Sequence, residues 1–229
     1  MKILTLSDSH NKHRQIPEKY LKNEDGSISM IIHAGDVSGR GSIDEIVSFL
    51  EWFNVLPFDY KIFCPGNHDF YFEDAKPEEL INLLSQYPNV IYLHDSGIEI
   101  LGFKLWGSGV TPWFYAWAFN RKGIEIKPHW DMIPDDINLL ITHGPAKGYL
   151  DLTMGGDSVG CPYLLEKISE LKNLSLFISG HIHEGYGKVI FPDGGVFVNA
   201  SVLNHRYEMR NKPYLITLDD ISKKIISIE

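Results

Sequence analysis

The stretch "LSLFISGHIHEGYG", Leu174–Gly187, runs from an apolar segment straight into two histidines one residue apart, bracketed by glycines. An apolar run of this length stopped by Gly suits a strand buried on both faces, with the histidines just past its carboxyl end. Four other stretches are built the same way: "KILTLSDSH" ending at His10, "SMIIHAGD" at Asp36, "YKIFCPGNHD" at Asp69 and "INLLITHGP" at Pro145. Helical patterns lie between several of them. "SIDEIVSFLEWF" opens with Ser42 as an N-cap and repeats apolar residues at Ile43, Ile46, Val47 and Leu50; "KPEELINLLSQY" carries Pro77 in its first turn, and "CPYLLEKISELKN" has the same form.

Strands separated by helices pair in parallel through right-handed crossovers, so their polar ends gather at one rim, where open α/β sheets bind ligands. Hairpin signals at Leu101-Gly102, at Asp193-Gly194-Gly195 and near Asp219-Asp220 add a second, partly antiparallel sheet. The segment 111–136 has no clear period, is dense in aromatics and is expected as a long functional loop.

With 229 residues and 44% hydrophobic content, the chain supports one substantial core, and a single domain over residues 1–229 is expected. A formal charge of −9 opposes binding to a nucleic-acid backbone, which argues against duplex nucleic acid as a partner. Cys64 and Cys161 make neither a disulfide framework nor a CxxC metal pair, which fits a reducing compartment. No apolar run has signal-peptide form or membrane-spanning length, so a soluble cytoplasmic protein without a membrane partner is expected. Oligomeric state has no marker in the sequence.

Asp8 and His10 stand two residues apart, a spacing that sends both side chains to one side of an extended segment. Asp36, Asn67, His143, His181 and His183 stand at the other strand ends. These seven residues form a candidate metal site whose imidazole, carboxylate and carboxamide donors suit Mn, Fe, Zn or Ni better than Ca. His33, inside its strand, reads as a core histidine or one behind the ligands. His13, His94, His129 and His205 read as surface or structural.

The ordered series "DSH", "GD", "GNHD", "THGP" and "GHIH" resembles the calcineurin-like metallophosphoesterase family from Asp8 to His183. "TPWFYAWAFN", "ITHGP", "GCPYLL" and "GHIHEGYG" further resemble a subgroup typified by mammalian brain metallophosphoesterase-domain proteins. The resemblance implies an α/β fold: a four-layer αββα sandwich of two mixed β-sheets flanked by helices, with the metal site at the strand C-terminal rim. It also implies two divalent metal ions. Asp8, His10 and His183 would hold one, Asn67, His143 and His181 the other, with Asp36 bridging; Mn is the ion expected to support activity in vitro.

A water shared by two such ions has its pKa lowered toward about 7, so hydroxide is the expected nucleophile and no serine or cysteine is needed. His68 follows the ligand Asn67 and is expected to contact phosphate and protonate the leaving oxygen, with Asp69 orienting it and favouring its charged form. Asn67, His68, Trp113 and Phe114 are the candidate substrate contacts, and Trp113, Phe114, Trp117 and Phe119 a candidate stacking wall. Arg14, Arg40, Arg121 and Arg206 are candidate phosphate clamps. Ser158 is expected to cap the helix that follows it.

The positive charge left after Asp8, Asp36 and hydroxide meet two divalent ions matches a phosphodiester better than a monoester dianion. The expected activity is therefore a phosphodiesterase acting on small phosphodiesters such as cyclic nucleotides. The alternatives are a nucleotide-binding regulatory protein with weak activity, and a phosphomonoesterase or nuclease using the same site.

Overall fold

The computed structural model describes residues 1–22 and 29–229. The chain runs β1 (Lys2–Leu6), β2 (Ser29–Ala34), α1 (Ile43–Asn54), β3 (Tyr60–Cys64), α2 (Phe70–Asp74), α3 (Pro77–Leu84) and β4 (Val90–Tyr92), then β5 (Ser96–Ile100) and β6 (Phe103–Ser108). Short strands β7 (Thr111–Pro112) and β8 (Asn120–Arg121), with α4 (Lys127–Asp131), precede β9 (Leu139–Thr142), α5 (Pro162–Glu170) and β10 (Leu176–Ser179). The last strands are β11 (Gly187–Ile190), β12 (Val196–Asn199), β13 (Tyr214–Leu218) and β14 (Ile225–Ile228).

Two six-stranded mixed sheets result, in the orders β14-β13-β1-β2-β3-β4 and β11-β12-β10-β9-β6-β5. In each, the neighbouring crossover strands are parallel; the hairpins β13–β14, β11–β12 and β5–β6 supply antiparallel pairs at the edges, and β13 also pairs antiparallel with β1 inside the first sheet. Alternation along a strand explains why these runs are apolar throughout. Ile3, Met30, Ile32 and Ile62 face Leu139, Ile141, Leu176, Ile178 and Val198 between the sheets. The intervening Leu4, Ile31 and Phe63 pack outward on Phe49, Leu50 and Phe53 of α1. On the other side Leu140, Phe177 and Phe197 cluster with Trp130 of α4 and Leu164 of α5. The layers are helices, sheet, sheet, helices.

α1 begins at the expected Ser42, whose hydroxyl accepts from Glu45 N while the Glu45 carboxylate accepts from Ser42 N. Its buried face is centred on Ile46, Phe49, Leu50 and Phe53, and Ile43 is exposed. The Ser158 cap is not formed. Pro162 fixes the first turn of α5, so the cap falls on Cys161, whose Sγ accepts from Leu164 N; the Ser158 hydroxyl donates to Asp151 Oδ2 at 2.5 Å. Segment 111–136 also departs from an open loop. It contains the β7–β8 pair, a turn of 3-10 helix and α4, elements too short to show a period in sequence.

Candidate metal centre

Beyond Leu6 the chain leaves its own sheet and joins the other. Ser7 N donates to Ala200 O at 2.9 Å and Val202 N to Ser7 O at 3.0 Å, while Asp8 N still donates to Gly35 O at 3.0 Å. The sheets, held apart elsewhere by their shared core, therefore meet at the rim that carries the predicted ligands. Asp8, His10, Asp36 and His181 all have positive φ, at 55°, 41°, 56° and 67°. Non-glycine residues rarely adopt this left-handed conformation, and such strain concentrates at functional sites. Close approach also demands glycine. A Cβ on Gly180 would run into Ser7 Oγ and Asp8 Oδ2, and one on Gly35, at φ +91°, would lie 2.6 Å from His143 Nδ1.

The structure brings all seven predicted residues together. His183 Nε2 lies 3.4 Å and His10 Nε2 4.0 Å from Asp8 Oδ1, and His10 Nε2 lies 3.5 Å from Asp36 Oδ2. On the other side His143 Nε2 is 3.3 Å from Asp36 Oδ2 and 2.9 Å from Asn67 Oδ1. Among the described residues three overlapping groups able to hold a metal ion emerge, Asp8 with His10 and His183, His10 with Asp36 and His68, and Asp36 with His143 and His181, the donor atoms of each within 4.8 Å of one another.

The hydrogen bonds behind the donors point them inward. His143 Nδ1 donates to Ala34 O at 2.9 Å and His183 Nδ1 to Asn204 O at 3.0 Å. A carbonyl only accepts, so each ring carries its proton on Nδ1 and presents the Nε2 lone pair to the centre. Asp8 Oδ2 accepts from Ser201 Oγ at 2.5 Å and from His181 N at 3.0 Å; Asp36 Oδ1 accepts from His68 N at 2.8 Å. This buried mixture of nitrogen and oxygen donors fits borderline divalent ions.

Burial opposes ionisation of Asp8, yet its bond to His183 and the charges of His183, His143 and His10 hold its carboxyl well below the usual range. Asp36 is held low against burial by His143. Burial alone would depress His143 and His183, but Asp36 and Asp8 respectively raise each to about 9. Burial lowers His10 to about 4, and burial with the charge of His143 lowers His181 to about 3. Two carboxylates thus demand positive charge at this point, and a cation bound at the Nε2 atoms of His143 and His183 would meet that demand in place of a second proton on each ring.

His68 lies at the edge of the centre, its ring centroid 4.5 Å from that of His10. Asp69 does not orient it. The Asp69 carboxylate accepts from Gly66 N, Val37 N, Ser38 N and Ser38 Oγ at 2.7–3.2 Å, whereas His68 Nδ1 donates to Gly39 O at 2.7 Å. Because Asp69 opens the first turn of α2, its side chain folds back over the strand ends, away from the ring of its neighbour.

A cavity of about 560 Å³ opens over the centre, floored by His10, Asp36, Asn67, His68, His181 and His183. Trp113, Phe114 and Trp117 form one wall, and Lys147, Thr153, Ser158 and Val159 another. Phe119 is not in this wall: it is buried, its ring 4.7 Å from that of His94. None of the four arginines lines the cavity, where Lys147 is the sole Lys or Arg among the described residues, and Arg121 instead pairs with Glu73 at 2.9 Å.

Sequence reasoning missed Tyr207, whose ring lies 4.9 Å from His10 and 5.0 Å from His183, and no strand end marks it. Ser201 was findable, because "VFVNAS" is a sixth apolar run ending at the same rim. Asn199 Nδ2, on that run, ties down the HxH loop by donating to Gly180 O and Ile182 O. His33 is fully buried with Nε2 2.9 Å from Ser9 Oγ, as expected of a residue behind the ligands. His129 and His94 gather around Asp95, His13 packs among Phe49 and Trp52, and His205 is exposed.

A profile of the calcineurin-like phosphoesterase family matches residues 1–185. The chain belongs to that family, whose chemistry is metal-dependent hydrolysis of phosphoric esters with divalent ions as cofactors. It is 37% identical over 239 residues to metallophosphoesterase domain-containing protein 1 of Homo sapiens, covering 95% of this chain and 71% of that one, and equally to the Mus musculus protein. Among solved structures, a protein of Thermus thermophilus matches with a TM-score of 0.64 at 16% identity, covering 100% of this chain and 97% of that one. A novel archaeal phosphodiesterase matches with a TM-score of 0.52 at 18% identity, covering 98% and 97%. These two structural likenesses concern the fold alone.

Proposed function

We propose that this protein is a phosphodiesterase that hydrolyses small phosphodiesters, cyclic nucleotides among them. In this reading Asp8, His10 and His183 hold one divalent ion, Asn67, His143 and His181 a second, and Asp36 lies between. The observation that carries it is the convergence of these seven side chains from both sheets at one rim, with His10, Asp36, Asn67, His181 and His183 on the floor of one aromatic-walled cavity and Asp8 and His143 buried beneath it.

Bound divalent ions supply Lewis acidity and lower the pKa of water to about 7. The chain's residues do the rest. The Gly39 carbonyl keeps the His68 Nδ1 proton in place, so Nε2 is the nitrogen that gives a proton to the departing ester oxygen. As the oxygen of water bonds to phosphorus, one ester P–O bond breaks, and the products are an alcohol and a phosphomonoester. Asn67 sits on the floor beside His68, where it contacts the phosphate. Trp113 and Phe114, both substantially exposed at the mouth, offer apolar faces to the organic part of the substrate. Two ionised aspartates in the centre leave it better matched to a singly charged diester than to a dianion.

Among the described residues no helix is long and apolar enough to cross a membrane. Cys64 and Cys161 are free and buried, in keeping with a cytoplasmic enzyme working as one domain. The deciding assay gives the protein Mn, Fe, Zn or Ni in turn and compares bis-p-nitrophenyl phosphate with p-nitrophenyl phosphate, followed by cyclic mononucleotides. The diester is expected to turn over faster, most of all with Mn. Faster monoester hydrolysis would overturn the diester preference, and no turnover of any diester in metal-replete protein would favour a nucleotide-binding regulatory role.

A further inference from the structure

We infer that Trp117 is the residue that positions His68 for proton transfer, the task that sequence assigned to Asp69. The inference rests on the acid role proposed for His68 above. The indole and imidazole are stacked, with ring centroids 4.3 Å apart and planes inclined by 30°. The indole also meets Phe70, at 5.9 Å and 39°. His68 is therefore held by three contacts: the Gly39 carbonyl fixes one edge through Nδ1, the His10 ring meets it edge to face at 4.5 Å, and the indole covers one face. The carbonyl alone fixes an edge but leaves the ring free to tilt about that bond. The stacked face removes the tilt, and Nε2 is left pointing in one direction.

Trp117 is able to do this because the segment that carries it is bolted to the segment that carries His68. Ala118 N donates to Asn67 O at 3.2 Å, directly before His68 in the chain. Phe119 N donates to Glu73 Oε2 at 2.7 Å, and Arg121 Nη1 donates to Glu73 Oε1 at 2.9 Å, so one carboxylate of α2 clamps the returning strand of the loop. Thr111 N to Phe119 O and Trp113 N to Arg121 O, at 3.0 and 2.9 Å, close the base of the loop, and the buried Phe119 ring anchors it. Trp113, Phe114 and Tyr115 are exposed around the mouth, with the Phe114 ring 5.2 Å from that of His181, whereas Trp117 stacks on His68. Arg121, expected to grip phosphate, is thus a strut for the loop.

The test uses metal-loaded protein and two diesters that differ only in the leaving group, p-nitrophenyl and phenyl, with Trp117→Ala, Trp117→Phe, His68→Ala and the Trp117→Ala/His68→Ala double variant. A positioned general acid contributes on the order of 10²–10⁴-fold, so Trp117→Ala is expected to lower kcat on the phenyl ester by roughly 10- to 100-fold. KM and metal content should stay unchanged, the p-nitrophenyl ester should lose far less, and Trp117→Phe should restore most of the rate. In the His68→Ala background, Trp117→Ala should cost nothing further, because groups acting as a unit are non-additive. Raised KM with kcat intact would make Trp117 a substrate wall and overturn the inference, as would full additivity with His68→Ala. Should His68→Ala itself slow both esters equally, the acid reading of the site fails, and that result is read separately from the cycle. Trp117→Phe, together with metal counting on every variant, separates misfolding from mispositioning.

Discussion

The Nε2 atoms of His10 and His183 face each other 3.3 Å apart, with Asp8 Oδ1 3.4 Å from the second. Since His183 commits its Nδ1 proton to the Asn204 carbonyl, two lone pairs would meet here unless a proton or a cation lay within reach of both.

Metal counting therefore distinguishes the two groups. His183→Ala is expected to lose the ion of the Asp8 group and keep the other, and His181→Ala to do the reverse, as read by elemental analysis after gel filtration. Loss of both ions from either variant would show that the centre is a single cooperative unit. Stripping both ions from the wild type should lower its melting temperature, since free ion at about 100 times its Kd stabilises the folded chain by about 2.7 kcal/mol per site.

Asp69 gives a contrasting case. Its carboxylate satisfies the backbone N–H of Gly66, Val37 and Ser38 in a buried turn. Stranding buried donors costs about 1–3 kcal/mol for each group, so Asp69→Ala should destabilise the protein by at least about 3 kcal/mol in urea unfolding. Its surviving activity should fall equally for good and poor leaving groups. An unchanged midpoint with selective loss on poor leaving groups would return the orienting role to Asp69.

Acid stability should depend on Asp95. Burial works against its ionisation, but the His129 hydrogen bond at 2.6 Å, the charge of His94 and the Ser108 hydroxyl outweigh it and hold the carboxyl below its usual range. A depressed folded-state pKa contributes stability above the unfolded value of 3.8, and that contribution is lost as pH falls through the folded value. The stability gap between wild type and Asp95→Asn should begin to close as pH falls below about 4 and vanish once pH passes below the folded value. A gap that did not narrow at all on acidification would mean that the pair is held by packing alone.

Much of this site was legible because its ligands stand within a few residues of strand ends, and a strand buried on both faces is marked by an apolar run such as "LSLFIS". Family resemblance then supplied the proposed division of the ligands; the structure places His181 beside Asp36 and His143, and His183 beside Asp8 and His10. What was not legible depends on side-chain direction. Asp69 follows His68 in sequence, but the start of α2 turns its carboxylate toward Gly66 and Ser38. Trp117 and Phe119 differ by two positions in the same aromatic segment, yet one covers His68 and the other is core. Tyr207 comes from a loop with no periodic signal and reaches the centre only through the tertiary fold.

The crossing of β1 from one sheet to the other at Ser7 has a mechanical consequence. Asp8, His10, Asp36 and Asn67 follow strands of the first sheet, whereas His143, His181 and His183 follow strands of the second. An ion in either group would be a clasp joining the two halves of the sandwich. Ion occupancy and docking of the sheets then become linked equilibria, and slow hydrogen exchange at the Ser7 and Val202 amides would report a closed clasp from the backbone alone.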